Sequence, residues 1–153
     1  MKKIVFAIAT LASFWANAQA DEKMAVQKTV EDFFEAFHAQ DSVKIRALTA
    51  KDITLQSIGT NKAGKTQLRI DDFDAFLNGI VGIPKERKFQ EKINSYSIQV
   101  DGPMANAWTE YEFWIDGKLS HCGVNSFQMI DEGDGWKIIY LIDTRRREGC
   151  GSP

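Results

Sequence analysis

Histidine and cysteine are scarce in this 153-residue chain, which contains two of each. His38 and His121 fall on different predicted elements, and neither a Cys-x-x-Cys nor a His-x-His pattern is present. The spacings typical of zinc sites are therefore missing, and we expect no metal site. Phosphate loops, dinucleotide-binding glycine turns and the serine elbow of hydrolases are also absent, so we expect no cofactor.

Long hydrophobic runs are missing too, and the one apolar stretch lies at the N-terminus. Two lysines precede an apolar run from Ile4 to Phe14, and Ala18-Gln19-Ala20 then offers a cleavage triplet of small residues. This pattern predicts a secretory signal peptide over residues 1–20, because the run is too short to span a bilayer. We expect an exported, periplasmic or secreted protein that begins near Asp21. Neither cysteine follows the leader directly, so a lipoprotein anchor is not expected.

A strong charge of either sign is also lacking. The formal net charge is −2 and becomes −4 when Lys2 and Lys3 leave with the leader. A mildly acidic domain is not drawn to nucleic acid or to an anionic membrane. Apolar residues make up 44% of the chain, which is enough for the packed core of one domain over residues 21–153.

Helical periodicity dominates the first half of the mature chain. Apolar residues from Val26 to Phe37 share one face of a helix. Asp41 and Ser42 suit the start of a short second helix, and Asp71 or Asp72 suits the start of a third. Between them we predict a short strand and then a loop over residues 59–65. The buried stripe of the third helix is expected to contain Phe73, Phe76, Leu77 and Ile80.

The second half of the chain alternates in the manner of β-strands. Runs over residues 89–100, 105–115, 119–130 and 136–144 are separated by glycine-containing turns. Helices first and a strand meander afterwards predict an α+β fold, in which the helices cover one face of a strongly curved antiparallel sheet.

Several segments resemble the nuclear transport factor 2-like (NTF2-like) superfamily, which includes polyketide cyclases, SnoaL-like proteins and ketosteroid isomerase. They are the opening helix Val30–Phe37, the hairpin from His121 to Phe127 with Gly135-Trp136-Lys137-Ile138, and Asp143-Thr144. The sequence looks most like a secreted bacterial branch without assigned activity. The resemblance implies a cone-shaped barrel whose pocket holds a small, largely apolar molecule.

The resemblance does not carry over a catalytic base. In ketosteroid isomerase the base is an aspartate near the strand that follows the first two helices. Here Asp52 stands at the start of that strand, where it looks like a capping or edge residue. We therefore assign no catalytic role to it.

His121 is the first candidate for chemistry. It alternates along its strand with Gly123, Asn125, Phe127 and Met129, so a histidine and an amide are expected to share a pocket wall. Histidine near neutral pH exchanges protons, and Asn125 can orient a carbonyl group. The alternative is a strand-end histidine bonded to backbone or water.

Aromatic residues supply the predicted pocket lining. Phe37 on the opening helix and Tyr111 and Phe113 on the second long strand form the apolar set. Together with His121, Asn125 and Phe127 they are the predicted ligand-binding residues. Trp108 and Trp114 lie on the opposite, carboxylate-bearing face of that strand, where they suit a homodimer surface.

Asp143 is the candidate partner of His121. A turn centred near residues 132–135 places His121 opposite Arg145, so Asp143 is a diagonal neighbour of the imidazole. Two interpretations stay open: a catalytic His121–Asp143 pair, or an ion pair of Asp143 with Arg145 or Arg146 at the strand end.

Cys122 and Cys150 read as one disulfide in an oxidising compartment. The bridge would close a loop of about 29 residues and contribute roughly 3 kcal/mol in the chain-entropy account. The alternative is one buried thiol and one thiol in the tail.

Three functions are consistent with these residues. The first is binding of a small apolar or amphipathic molecule in the cone. The second is a cofactor-free isomerase, dehydratase or cyclase that uses His121 as acid or base, with help from Asp143 or Tyr111. The third is a protein-interaction module with a solid interior.

Overall fold

The computed structural model describes residues 2–151, and side chains from residue 19 onward. Most of the predicted leader thus lies outside the described side chains. Three helices and six strands are formed. Their bounds are α1 Lys2–Ala39, α2 Ser42–Ala47, β1 Thr49–Thr60, β2 Thr66–Asp71, α3 Phe73–Val81, β3 Phe89–Asp101, β4 Met104–Ile115, β5 Lys118–Asp131 and β6 Trp136–Thr144. Within the described part of the chain, no helix is both long and apolar enough to cross a membrane.

The helices begin where the sequence predicts. The Asp41 carboxylate accepts a hydrogen bond from the Lys44 amide at the start of α2, and Asp72 does the same for Ala75 at the start of α3. Each cap satisfies an amide that has no partner within its own helix. The predicted starts of the two short helices are therefore confirmed.

The strands form one curved, unclosed sheet in the order β2-β1-β6-β5-β4-β3. Four of the five strand pairs are antiparallel, as predicted, but β1 and β6 pair in parallel. The predicted curved antiparallel sheet is thus confirmed, and among the described strands the β1–β6 pair is the exception. Strand β2, helix α3 and strands β3 to β5 lie between β1 and β6 in sequence, so β1 meets the last strand without a hairpin connection.

Strand β2 is absent from the sequence prediction. The predicted loop narrows to a turn in which the Asn61 side chain accepts hydrogen bonds from the amides of Ala63 and Lys65. The strand that follows lies at the sheet edge, and its two large apolar residues, Leu68 and Ile70, are exposed. An edge strand without a buried face shows no alternation that would reveal it.

The core lies between α1 and the concave face of the sheet. Val26, Val30 and Phe33 of α1 are buried there, and the Phe33 ring packs edge-on against Phe127 of β5. The predicted helical stripe is thus confirmed. Towards the open end of the cone this apolar packing gives way to a cavity.

Candidate functional site

A cavity of about 460 Å³ lies between α1, α3 and the concave face of the sheet, and it opens to solvent. A volume of this size suits a small organic molecule. Its apolar lining includes Phe34, Phe37, Phe76, Ile80, Phe113 and Leu141, and its polar lining includes Ser57, Glu91, Tyr111, His121, Asn125, Asp143 and Arg145. Surface grooves of similar volume occur elsewhere, but the groove between α2 and α3 contains no aromatic ring.

Aromatic rings form the walls at the wide end of the cavity. The Phe37 ring stacks on Phe76 of α3 with centroids 6.3 Å apart, and it also contacts the rings of Phe89 and Phe113. Phe34 from the preceding helical turn meets Phe37 edge to face. The prediction placed Phe37 and Phe113 in the pocket, and both side chains line it.

Asp143 is the centre of a hydrogen-bonded group at the narrow end. The Ser57 hydroxyl donates to its Oδ1 atom, and Arg145 Nε donates to Oδ2 over 2.6 Å. The Tyr111 hydroxyl lies 3.3 Å from Oδ2 and donates to the Thr144 carbonyl oxygen over 2.9 Å. Asp143 is almost fully buried and its acceptor atoms are occupied, so this carboxylate acts as a structural anchor.

His121 lines the cavity but does not bond to Asp143. Its ring stacks on Phe113 with centroids 4.9 Å apart, and its Nδ1 atom lies 3.2 Å from the Ser120 hydroxyl. Burial, reinforced by the nearby Arg145, lowers the pKa of His121 despite the opposing charge of Asp143. Its imidazole is therefore neutral at pH 7.

The register of the last hairpin explains why this pair is not formed. Asp143 lies opposite Asn125, and Arg146 lies opposite Cys122, so His121 is not opposite Arg145. Relative to the predicted pairing, the turn shifts β6 against β5 by one residue, and a β-bulge beside Gln128 and Met129 shifts it by one more. The predicted register was wrong, and the ion pair of Asp143 with Arg145 is the arrangement that the structure contains.

Glu91 is the acid that sequence reasoning missed. Asn125 Nδ2 donates to Glu91 Oε1 over 2.7 Å, and the Glu91 amide donates to His38 Nε2 over 2.9 Å. Burial raises the pKa of Glu91 to about 7, the Asn125 bond opposes this, and the Asp143 charge adds to it. Glu91 is half-buried as a residue and lines the cavity. Its carboxyl group can therefore exchange a proton near neutral pH.

Asn125 and Phe127, two of the predicted ligand-binding residues, lie at different depths in the cone. Asn125 is buried yet lines the cavity, whereas Phe127 is fully buried beneath the rings of Phe33 and Phe34 and does not line it. Both side chains point to the concave face, as the alternation predicts. Phe127 lies deeper in the cone, where the helix covers the sheet, so it supports the cavity floor without contacting its space.

Gly123 lets the end of β6 approach β5 closely. A Cβ atom at this position would lie 1.8 Å from the Thr144 carbonyl oxygen and 2.9 Å from the Tyr111 ring. Only glycine fits there. The space beside Gly123 is therefore filled by the backbone of β6, and Arg145, the next residue along the chain, lines the cavity.

The tail after β6 is also held by a disulfide between Cys122 and Cys150, whose Cα atoms lie 5.6 Å apart. Cys122 exchanges two backbone hydrogen bonds with Arg146. These contacts hold the chain directly after Arg145, which lines the cavity.

Among the residues from 2 to 151, no cluster of three or more histidine, cysteine or acidic side chains is placed to hold a metal ion. The polar groups of the cavity include those of Asp143, Glu91 and His121 with their partners. Their chemistry is hydrogen bonding, charge pairing and proton exchange.

No protein-family model matches the chain, and no curated protein matches it in sequence. Solved structures match its fold. An NTF2-like protein of unknown function from Shewanella baltica is 14% identical with a TM-score of 0.59, and the match covers 83% of this chain and 95% of that one. A protein of the NTF2-like family from Streptomyces avermitilis, provisionally assigned as a dehydratase, is 14% identical with a TM-score of 0.63, covering 83% and 97%.

A protein of unknown function from Mycobacterium tuberculosis is 13% identical with a TM-score of 0.68, and the match covers 86% of this chain and 76% of that one. At such identities the likeness concerns the fold alone. The predicted resemblance is confirmed at that level: the chain has the NTF2-like α+β cone fold.

Proposed function

We propose that this protein binds a small amphipathic molecule in the cone. The observation that carries the proposal is the 460 Å³ cavity, whose lining combines several phenylalanine rings with a few polar groups. Apolar pockets with a few convergent polar groups are typical of small-molecule sites. The apolar body of the ligand would lie against Phe37 and Phe76, and its polar group would lie near Glu91, Asn125 and His121.

A variant that fills the cavity tests this proposal. Gly79 of α3 lines the cavity, and a Cβ atom there meets no heavy atom within 4 Å. Gly79→Leu therefore adds volume from a position where the Cβ atom has open space, and removing a helical glycine favours α3. We expect ligands from a library of amphipathic metabolites to raise the melting temperature of the wild type but not of the variant. Val81→Leu, on the exposed side of the same helix, is the matched control.

A second candidate function is cofactor-free proton transfer, and Glu91 is the observation that favours it. A carboxyl group with a pKa of about 7 can both accept and donate a proton near neutral pH. Here Glu91 takes the role that the sequence suggested for His121, while Asn125 and His121 remain available to orient a substrate. The reaction class would be isomerisation, dehydration or cyclisation.

Exchange of ligand protons with solvent tests this second function. A ligand from the melting screen that carries an activated C–H bond is incubated in D₂O with wild type and with Glu91→Gln. Mass spectrometry should detect faster deuterium uptake with the wild type alone. Equal uptake with both proteins would leave binding without catalysis.

We also propose that the protein works after export and as a homodimer. The leader pattern at residues 1–20 supports export, and N-terminal sequencing of the periplasmic fraction tests it: the first residue should be Asp21. The outer face of β4 supports dimerisation, because Met104 and Trp108 are exposed there. A protein-interaction module is the weaker alternative, since it was expected to have a solid interior.

A further inference from the structure

The charged groups that line the cavity are mostly paired with one another. Arg69 Nε donates to Asp71 over 2.7 Å near the mouth, and Arg145 Nε donates to Asp143 over 2.6 Å at the narrow end. Each guanidinium group thus has its own carboxylate. An anionic ligand would have to compete with these carboxylates, so the cavity offers no uncompensated positive charge.

Two carboxyl groups of the lining remain outside these pairs. Asp72 uses its carboxylate to cap α3. Glu91 has one hydrogen-bond donor, Asn125, on its Oε1 atom, and no cation of the described residues forms a salt bridge with it. Its Oε2 atom has no hydrogen-bond partner among those residues. A largely buried carboxylate that lacks a cation is unfavourable, so this group either binds a proton or pairs with a cation that a ligand supplies.

The groups that face Glu91 come from five parts of the fold. Asn125 of β5 donates to the carboxyl group, and His38 of α1 accepts from the backbone amide. Asp143 of β6 lies close enough to act on Glu91 by its charge, as does Arg145 beyond it, and these two charges offset each other. Tyr111 of β4 lines the same end of the cavity. None of these groups neutralises an ionised Glu91.

We propose that the ligand is an amphipathic amine, whose ammonium group pairs with the Glu91 carboxylate while its apolar body lies against the phenylalanine rings. This inference rests on the proposed binding function and names the chemical class of the ligand. Phe113 and Phe34 line the same cavity, and an ammonium group over either ring would gain a cation–π contact as well. Neutral molecules with the same apolar body should bind more weakly.

A set of ligands that differ only in the polar group tests the proposal. Naphthylmethylamine, naphthylmethanol and naphthoic acid, with alkyl-chain counterparts of each, are titrated into the full-length mature protein at pH 8 by calorimetry. We expect the amine of each set to bind at least about tenfold more tightly than the alcohol, and the acid to bind most weakly.

Two variants assign the effect to Glu91. Glu91→Gln keeps the polar contact with Asn125 but removes the charge, so it should abolish the preference for the amine and change alcohol binding less than about threefold. Glu110→Gln removes a carboxylate from the exposed outer face of β4 and should change the affinity for neither the amine nor the alcohol. Lowering the pH from 8 to 6 should weaken amine binding to the wild type, whereas the same change should have a smaller effect on Glu91→Gln.

The outcomes separate the two proposals. Equal binding of amine and alcohol, or tighter binding of the acid, overturns the amine assignment and leaves the binding function standing. An amine preference that survives in Glu91→Gln also overturns it. Failure of every member of every set to bind, together with no stabilisation in the metabolite screen, overturns the binding function itself.

Discussion

Asn125 and Glu91 are joined by a 2.7 Å hydrogen bond although their strands are not neighbours in the sheet. Strand β4 separates β5 from β3, so the two side chains meet above it on the concave face. This is possible because the sheet curls and brings alternate strands together over the middle one. The contact places an acid on the cavity wall and gives it a neutral partner instead of a cation.

The first prediction concerns the pH dependence of stability at Glu91. The pKa of Glu91 is about 7 in the folded protein, against an ordinary value of 4.5. The folded chain therefore binds more protons between these values, and this group lowers the free energy of unfolding as the pH rises through that window. Glu91→Gln should be more stable than wild type by about 3 kcal/mol at pH 8 and nearly equal at pH 4. Urea titrations at both pH values measure this, and an equal difference at the two would contradict it.

The second prediction concerns the hydrogen-bonded group around Asp143. Asp143→Ala removes the acceptor of Ser57 and Arg145, which leaves the buried Ser57 hydroxyl without this partner. We expect it to lower the free energy of unfolding by about 2 kcal/mol. Asp74→Ala breaks the exposed pair with Arg46 and should cost less than about 1 kcal/mol. Similar losses for the two variants in urea would show that the group at Asp143 has no special structural role.

The third prediction concerns the close approach at Gly123. Gly123→Ala places a methyl group where the Thr144 carbonyl oxygen lies, so either the tail or β5 must move. We expect a loss of about 3 kcal/mol or more. Gly59→Ala in β1 is the matched control, because its new methyl group meets no heavy atom within 4 Å. It should be neutral or slightly stabilising, and thermal unfolding compares the two.

The fourth prediction concerns the bond between Cys122 and Cys150. Replacing both cysteines with serine should lower the free energy of unfolding by about 3 kcal/mol in the chain-entropy account. It should also weaken ligand binding, because the bond holds the tail that carries Arg145. A reductant should lower the free energy of unfolding of the wild type towards that of the double variant. It should leave the free energy of unfolding of the double variant unchanged. A wild type indifferent to reductant would contradict this role.

The fifth prediction concerns the outer face of the sheet. Trp108→Lys places a charge on the proposed dimer surface, where the indole is half-exposed. Sedimentation velocity should then report a monomer at concentrations that keep the wild type dimeric. Val43→Lys, on the exposed surface of α2, should leave the dimer intact. A wild type that sediments as a monomer would contradict the proposed homodimer.

The element order could be predicted because most elements bury one clear face. The stripe from Val26 to Phe37 and the alternation through Asn125 and Phe127 place side chains on the correct sides of their elements. These patterns also place Tyr111 and Phe113 beside the cavity. The fold and the apolar residues of the site can therefore be predicted from the periodic pattern of apolar residues.

The polar half of the site depends on geometry that no local pattern contains. Glu91 lies among polar neighbours near the start of β3, and only the curl of the sheet brings it against Asn125. Arg145 reaches the cavity because Gly123 and the disulfide hold the tail there. The bulge in the last hairpin changes which residue faces Asp143, and a bulge shows no clear signal in the sequence.

The parallel pairing of β1 with β6 joins segments from the two ends of the domain, such as Thr54 and Tyr140. Closing so long a loop is entropically costly, and contacts of this range slow folding. The sheet cannot be completed until the final strand has left the ribosome. A chain of this topology therefore cannot complete its fold while it is being synthesised. An unfolded chain is the form that the export machinery of the proposed route would transport.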